Sequence, residues 1–305
     1  LLVLNTFKTG NFSRKMTFSI VIPFYNRQLF LKDTLYSVLK QSYRPLIVYL
    51  VDNQSTDSSL SIAEAFQKQH NSPDFIINLL HVEKRGASAA RNAALAQIET
   101  DYVYFFDSDD LMSPDFLLDA SAVLDEFPIP LPPPLFSNTK MYFANGKVSD
   151  RQFFIKGNVT DQILTGMLST QSMRLPTYLV KKIGGWNENL LVWNDWELGI
   201  RVLLECHDAV WLKKSYHCIR QHSESLTEGS GINKDEAIIA AFSAVKKLEL
   251  SRKEQVALRG RQAIYAAKLY RNKAVRTQLL KDIRSEKWIY YYERIIGQGA
   301  WWLFR

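Results

Sequence analysis

Tyr102-Val103-Tyr104-Phe105-Phe106-Asp107-Ser108-Asp109-Asp110 is the stretch on which the fold turns. Five β-branched or aromatic residues read as a buried strand, and the acidic residues after them mark its end and the start of a loop. In open α/β sheets, ligands bind beyond the carboxyl ends of the strands. Three carboxylates crowded there repel one another unless a cation joins them. Hard oxygen donors of this kind suit Mg2+ or Mn2+, usually with a phosphate completing the shell. Alone, such a tetrad fits a solvated acidic turn equally well.

The flanking sequence repeats the pattern. Phe18–Pro23, Leu46–Val51 and Ile76–Val82 are short, near-continuous apolar runs, as expected of parallel strands buried on both faces. Helices are predicted between them: one through Leu29, Leu31, Leu35, Val38 and Leu39, one through Ile62, Ala63 and Phe66, and an Ala-rich one from about Ser88 to Ile98. Pro114 sits at the favoured first position of a further helix. Strand and helix thus alternate four times, which predicts a doubly wound, mostly parallel mixed sheet flanked by helices. Asn26, Asp52 with Asn53, and Asp107 with Asp109 then fall on one edge of the sheet. These loops carry carboxylates rather than a Gly-rich phosphate cradle. The Pro-rich run Pro128–Pro134 leads into a different subregion, and Asn145-Gly146 predicts a hairpin turn there.

The chain has 305 residues, 47% of them hydrophobic, enough for one large α/β domain with a helical extension. Cys206 and Cys218 offer neither a disulfide framework nor metal-binding spacing, and suit a reducing compartment. No apolar run approaches the roughly 20 residues of a membrane-spanning helix. Met16 precedes a strand pattern at once, so residues 1–15 read as a leader or disordered extension. The net charge of +7 is uneven, because residues 231–305 hold 16 Lys/Arg against 7 Asp/Glu. The positive excess therefore belongs to a helical C-terminal segment.

Val21–Asn26, Val51–Asp57, Gly86 with Ala90-Arg91-Asn92, and Asp107–Asp110 resemble, in order and spacing, the motifs of family-2 inverting glycosyltransferases. Ile183–Glu188, Asn194-Asp195-Trp196-Glu197 with Arg201, and Arg220-Gln221-His222 with Ser225 extend the similarity to about Thr227. The resemblance implies a GT-A type fold over residues 16–230, with a nucleotide-sugar half at 16–127 and an acceptor half at 136–230. It also implies a nucleotide-diphospho-sugar donor and a Mn2+ or Mg2+ cofactor. Pro23, Tyr25, Asn26, Asp52, Asn53, Arg91, Asp107, Ser108 and Asp109 are the implied donor residues. Asp109 and His222 are the implied metal ligands, with His217 the fallback and Asp110 capping or orienting the loop. Asp195 is the implied base, removing the acceptor hydroxyl's proton. Trp193, Asn194 and Trp196 are the implied acceptor contacts. Asn53 and Asn194 stand where the family more often has carboxylates, which leaves UDP-, dTDP- and GDP-linked donors open.

The acceptor implied is a glycan or lipid-linked glycan, as in cell-surface polysaccharide or lipopolysaccharide-type synthesis. The processive synthases' Gln-x-x-Arg-Trp motif is absent, which argues for transfer of a single sugar. Trp288, Tyr292, Ile295 and Ile296 form a helical stripe that, with the basic excess, suits the surface of an anionic membrane or docking on the domain. A cytoplasmic chain, peripheral at the inner membrane face, is the expectation, with no nucleic-acid partner. Two other readings compete. A catalytically weak nucleotide-sugar or carbohydrate-binding module would account for Asn53 and Asn194. A nucleotidyltransferase would need a Gly-rich triphosphate loop that Pro23–Asn26 does not supply.

Overall fold

A computed structural model describes residues 15–126, 132–143, 145–151, 158–206, 208–221, 234–268 and 272–281. Its first half is the alternation expected: β1 (Phe18–Phe24), α1 (Leu31–Leu39), β2 (Leu46–Asp52), α2 (Ser59–His70), β3 (Phe75–His81), α3 (Ala87–Leu95) and β4 (Tyr102–Phe105). The second half runs β5 (Leu111–Met112), α4 (Phe116–Leu124), β6 (Leu135–Tyr142), β7 (Val148–Arg151), α5 (Val159–Thr165), β8 (Met173–Pro176), α6 (Thr177–Lys182), α7 (Asn194–Glu205) and β9 (Val210–Arg220). Three helices follow: α8 (Lys234–Lys246), α9 (Arg252–Lys268) and α10 (Lys273–Lys281).

The strands form one sheet in the order β3-β2-β1-β4-β8-β6-β9-β5, with β7 beside β6. The run β3-β2-β1-β4 is parallel. Beyond it β8 joins antiparallel to β4 and to β6, and β9 runs parallel to β6. The sheet is therefore parallel at one end and mixed at the other. The hairpin predicted at Asn145-Gly146 joins β6 to β7, with Gly146 at φ 78°. Gly tolerates that left-handed backbone at no steric cost.

All seven residues of β1 are buried, as a central strand requires. Its side chains alternate between two cores. Ile20, Ile22 and Phe24 join Leu31, Leu35, Ala63, Phe66, Phe116 and Leu117 on the face covered by α1, α2 and α4. Val21 joins Ala90, Ala94, Trp186, Trp196, Phe242 and Leu258 on the other face. The second core thus includes residues of α8 and α9, so the described C-terminal helices share their packing with the sheet. No helix among the described residues is long and apolar enough to cross a membrane. The Trp288–Ile296 stripe, residues 1–14 of the expected leader at 1–15 and the Pro-rich run up to residue 131 lie outside the described residues.

Strand order reverses between β1 and β4, because β1 continues to β2 on one side while β4 lies on the other. Loops diverging from such a switch point open a crevice at the carboxyl ends of the strands. The loops after β1, β2 and β4 meet there.

Candidate active site

The loops after β1 and β2 are laced together. Asn26 adopts a left-handed backbone, φ 50°, a conformation in which Asn is several-fold enriched. Its Oδ1 accepts from the Thr56 N–H at 2.8 Å and its own N–H donates to Ser55 Oγ at 3.2 Å. The Ser55 N–H in turn donates to Asp52 Oδ1 at 3.0 Å. Asp52 is buried, with Oδ2 3.6 Å from His81 Nδ1. Pro23 lies within β1 opposite Val51. Tyr25 is exposed, with the Arg85 guanidinium over its ring at 5.8 Å.

Asn53 faces the next loop. Its Nδ2 donates to the carbonyls of Val82 at 3.0 Å and Lys84 at 2.8 Å, and its Oδ1 accepts from the Gly86 N–H at 2.7 Å. Every proton of the amide lies against a backbone acceptor. The side chain thus clamps the segment between β3 and α3, where the sequence reading had it contact the nucleobase.

The acidic loop divides its carboxylates. Asp107 Oδ1 accepts from Arg91 Nη2 and Oδ2 from Gln171 Nε2, at 2.7 and 2.6 Å. Asp110 is buried; its Oδ2 shares the Gln171 amide at 2.6 Å and its Oδ1 accepts from the Arg220 N–H at 3.0 Å. Burial, reinforced by the charges of Asp109 and Asp107, pushes the Asp110 carboxyl well above the usual range. Burial raises Asp107 as well, against the pull of Arg91. Thr34 Oγ1 donates to the Asp110 carbonyl at 2.8 Å and Arg220 Nε to the Asp109 carbonyl, so α1 and β9 bolt the loop from outside. Ser108 is buried and its carbonyl faces the same Thr34 hydroxyl. Asp109 is partly exposed, as is Asp107, and lies 3.4 Å from Arg27 Nε. The orienting part expected of Asp110 has a physical basis here, since its hydrogen bonds join three chain segments.

Asp195 occupies the first turn of α7, whose N-cap is Trp193. Its Oδ1 accepts from the Trp196 N–H at 2.8 Å, and its own N–H donates to Asn194 Oδ1 at 3.0 Å. Asn194 Nδ2 donates to Ser88 Oγ on α3 at 3.1 Å. Trp196 is buried, its Nε1 donating to the Gln162 carbonyl at 3.1 Å, which fixes α7 on α5. The loop before α7 is pinned to α3 as well. Asn92 Oδ1 accepts from the Trp186 N–H and Nδ2 donates to the Trp186 carbonyl, both at 2.8 Å. Gly185 is required there, since its φ is 68° and a Cβ would lie 2.5 Å from Asn92 Oδ1.

Helix α3 is therefore the brace between the two halves. Ser88 holds Asn194 and, three residues on along the same face, Arg91 holds Asp107 while lying 4.3 Å over the Trp186 ring. Asp107 and the start of α7 are brought to the two ends of one helical turn.

Among the described residues no group of three or more His, Cys, Asp or Glu converges as a metal cluster. Mg2+ and Mn2+ are commonly held by one or two carboxylates together with waters and substrate phosphates, and Asp109 fits that pattern. His222, the other expected ligand, lies outside the described residues. His217 is buried against Tyr104 and Phe116, its ring nitrogens have no hydrogen-bond partner among the described residues, and burial holds it well below the usual imidazole range. Sequence reasoning overlooked Gln171, Arg27, Thr34 and Ser88. Arg27 and Ser88 adjoin the motifs at Val21–Asn26 and Gly86–Asn92 and Gln171 and Thr34 lie outside them, but each is a single polar residue and only the fold shows what it touches.

Residues 19–163 match the model of glycosyl transferase family 2. Over 113 residues the chain is 36% identical to the Staphylococcus aureus poly(ribitol-phosphate) beta-N-acetylglucosaminyltransferase TarS, covering 36% of this chain and 19% of TarS. It is 37% identical over 100 residues to the Bacillus subtilis putative teichuronic acid biosynthesis glycosyltransferase TuaG, covering 32% and 38% of the two chains. The matching segment thus spans well under two thirds of either relative. The structure of S. aureus TarS in complex with UDP-GlcNAc superposes with a TM-score of 0.69 at 23% identity, covering 88% of this chain and 80% of that one. A mannosyltransferase from Pyrobaculum calidifontis in complex with GDP-Man and Mn2+ does so at 0.59 and 17% identity, covering 96% and 88%. Residues 19–163 are thus similar to glycosyl transferase family 2, and the fold is of the GT-A type.

Proposed function

We propose that this protein is an inverting, metal-dependent glycosyltransferase that moves one sugar from a nucleotide-diphospho-sugar to a hydroxyl of a glycan or lipid-linked glycan, in cell-wall polysaccharide synthesis. The observation that carries the reading is the α3 brace, which ties the Asp107 loop and the Asp195 helix start through Arg91 and Ser88. A transferase must hold a donor and a base for its acceptor in fixed relation, and one rigid helical turn does so. The donors bound by TarS and the archaeal mannosyltransferase, UDP-GlcNAc and GDP-Man, define the class to test.

In this reading Asp195 takes the proton of the acceptor hydroxyl as that oxygen attacks the anomeric carbon from the face opposite the diphosphate. The bond from the anomeric carbon to the diphosphate oxygen breaks, and the configuration inverts. A divalent cation, when bound, supplies charge neutralisation for the leaving diphosphate, and Asp109 is the residue to hold it. Arg91 keeps Asp107 oriented along the donor side. Trp193 bounds the acceptor side next to Asp195, whereas Trp196, expected there as well, is buried against α5 and supports Asp195 from behind.

A thermal-shift panel of UDP-, dTDP- and GDP-sugars, each with and without Mn2+, tests the donor site, because a bound ligand raises the melting temperature by mass action. One nucleotide class should stabilise, and more strongly with Mn2+. Asp109→Ala should abolish the Mn2+ increment, while Asp195→Asn should keep the donor shift and lose turnover. A fully active Asp195→Asn variant would remove the base assignment. A donor shift indifferent to Mn2+ would remove the metal.

A further inference from the structure

The residue that starts the base helix is held in an unfavourable conformation by the C-terminal helices. Trp193 has φ 57° and ψ 25°. A bulky side chain with this left-handed backbone is a true outlier and is strained. It persists where surrounding packing over-determines it. Trp193 is ringed by Trp196 at 5.3 Å, Phe242 of α8 at 5.5 Å and Tyr265 of α9 at 5.4 Å, each edge-on.

The cage also holds a cation. Arg261 of α9 lies 4.8 Å over the Trp193 ring and 5.2 Å over the Trp196 ring. One Nη donates to the Leu164 carbonyl at 2.7 Å, while Nε has no hydrogen-bond partner among the described residues. Space for the head group is kept by Gly166, where a Cβ would lie 3.0 Å from Arg261 Nη2. The two indoles belong to the residues two before and one after Asp195. The cation is therefore anchored on both flanks of that carboxylate.

We propose that Arg261 is a positioning residue for Asp195, so that the C-terminal helices complete the active site by fixing the orientation and charge state of its base. This rests on the reading of Asp195 as base. Burial lowers the Arg261 guanidinium to about 10, and the Asp195 charge pulls it back up. Several other charges on the surrounding elements have partners of their own. Glu197 pairs with Arg201, Asp161 accepts from Asn158, Asp235 from Asn272, Lys182 pairs with Glu205, and Arg91 with Asp107.

The test is the pH profile of nucleoside diphosphate release, with Mn2+ and the donor that stabilises most in the thermal-shift panel. Arg261→Met keeps the stem between the indoles, Arg261→Gln keeps polarity, and Arg261→Lys keeps the charge. A neutral side chain should move the acid limb of the profile up by roughly 0.5–1 pH unit, since an opposite charge favours the ionised carboxylate. Donor KM should stay as in the wild type, and Arg261→Lys should keep the limb near its original position. A purely structural residue would lower activity without moving the limb. The proposal is overturned if either neutral variant with a wild-type donor shift keeps the original limb, or if the Lys variant moves as far as the Met variant. Asp195→Asn run alongside separates the two ideas. If it is inactive and the limb of Arg261→Met is unmoved, only the role of Arg261 falls, whereas an active Asp195→Asn removes the base itself.

Discussion

Asn53→Asp distinguishes a loop clamp from a nucleobase reader. Asn53 Nδ2 donates to two carbonyls, Val82 and Lys84, while Oδ1 accepts from the Gly86 N–H. A carboxylate can keep the Gly86 bond, but its second oxygen has no proton for the two carbonyls. Two net hydrogen bonds at about 1 kcal/mol each are lost, and leaving the part-buried acceptors unsatisfied adds up to roughly another 1 kcal/mol. A loss of about 2–3 kcal/mol lowers the melting temperature by roughly 5–10 °C in a chain of this size. The sign with pH follows from the same contacts. Carbonyls facing the introduced carboxylate favour its protonated form, so its folded pKa is raised above the unfolded value of about 3.9. The penalty is then absent below that unfolded value and grows as pH rises through the folded one. Differential scanning fluorimetry at pH 5 and pH 8, without nucleotide, should show the larger deficit at pH 8. A variant as stable as wild type at pH 8, with altered nucleotide preference, would show that Asn53 reads the base and that the clamp is incidental.

Three further substitutions probe the surroundings of the site. Gln171→Leu removes the amide shared by Asp107 and Asp110 at 2.6 Å each; at about 1.5–3 kcal/mol per charged bond, urea unfolding in EDTA at pH 7.5 should show a loss of roughly 3 kcal/mol. His217→Phe keeps the stack on Tyr104 and Phe116. The wild-type imidazole, held well below its usual range by burial, refuses a proton that the unfolded chain takes up below about pH 6.5, so wild-type stability falls with acid there by up to about 1.4 kcal/mol per pH unit. The Phe variant should lose that part of the slope between pH 6.5 and 5. Arg174→Met replaces a fully buried guanidinium whose nitrogens have no hydrogen-bond partner among the described residues and which lies 4.5 Å over Phe116. Removing an uncompensated buried charge for an apolar side chain of similar length should leave the melting temperature within about 3 °C of wild type or raise it; a drop above 10 °C would mean the cation has an unseen partner.

The parallel half of the fold was legible because its signals are local. Phe18–Pro23 and Leu46–Val51 are near-continuous apolar runs, broken only by Ser19, and polar residues follow closely at Asn26 and at Asp52-Asn53. Boundaries slipped by only a residue or a few: β3 ends at His81 rather than Val82, and α3 stops at Leu95, short of Ile98. The mixed half was harder to read. β8 is four residues long, and its pairing with β4 and with β6 depends on partners at least 70 and nearly 40 residues earlier in the chain. The candidate site divides in the same way. Acidic residues after a strand can be read in sequence. Gln171 bridging Asp107 and Asp110 cannot, because a Gln in a short turn has no periodicity or composition that distinguishes it from a surface residue. Asn53 shows a third situation, in which position is readable but role is not, since an amide that could face a base faces two carbonyls of its own chain.

The charge of the basic C-terminal segment, 16 Lys/Arg against 7 Asp/Glu, does not by itself decide between an anionic membrane surface and docking on the domain. Yet Phe242, Leu258 and Val275 lie in the same core as Trp196 and Ile200, and Arg261 turns inward onto the indoles beside Asp195. A helix can carry its charge on one face and still be bound to the domain through the other, so net charge says nothing about which side does the positioning. The family match ends at residue 163, before α7 begins. Everything that cages Trp193 is supplied from beyond that point. If the base is set by helices outside the shared segment, chains that keep the same donor loops can differ in how they orient and charge the acceptor side. Such a division lets the donor half stay constant while α8 and α9 vary. Exchanging Phe242 and Arg261 should then alter turnover with a given acceptor while leaving the nucleotide shift untouched.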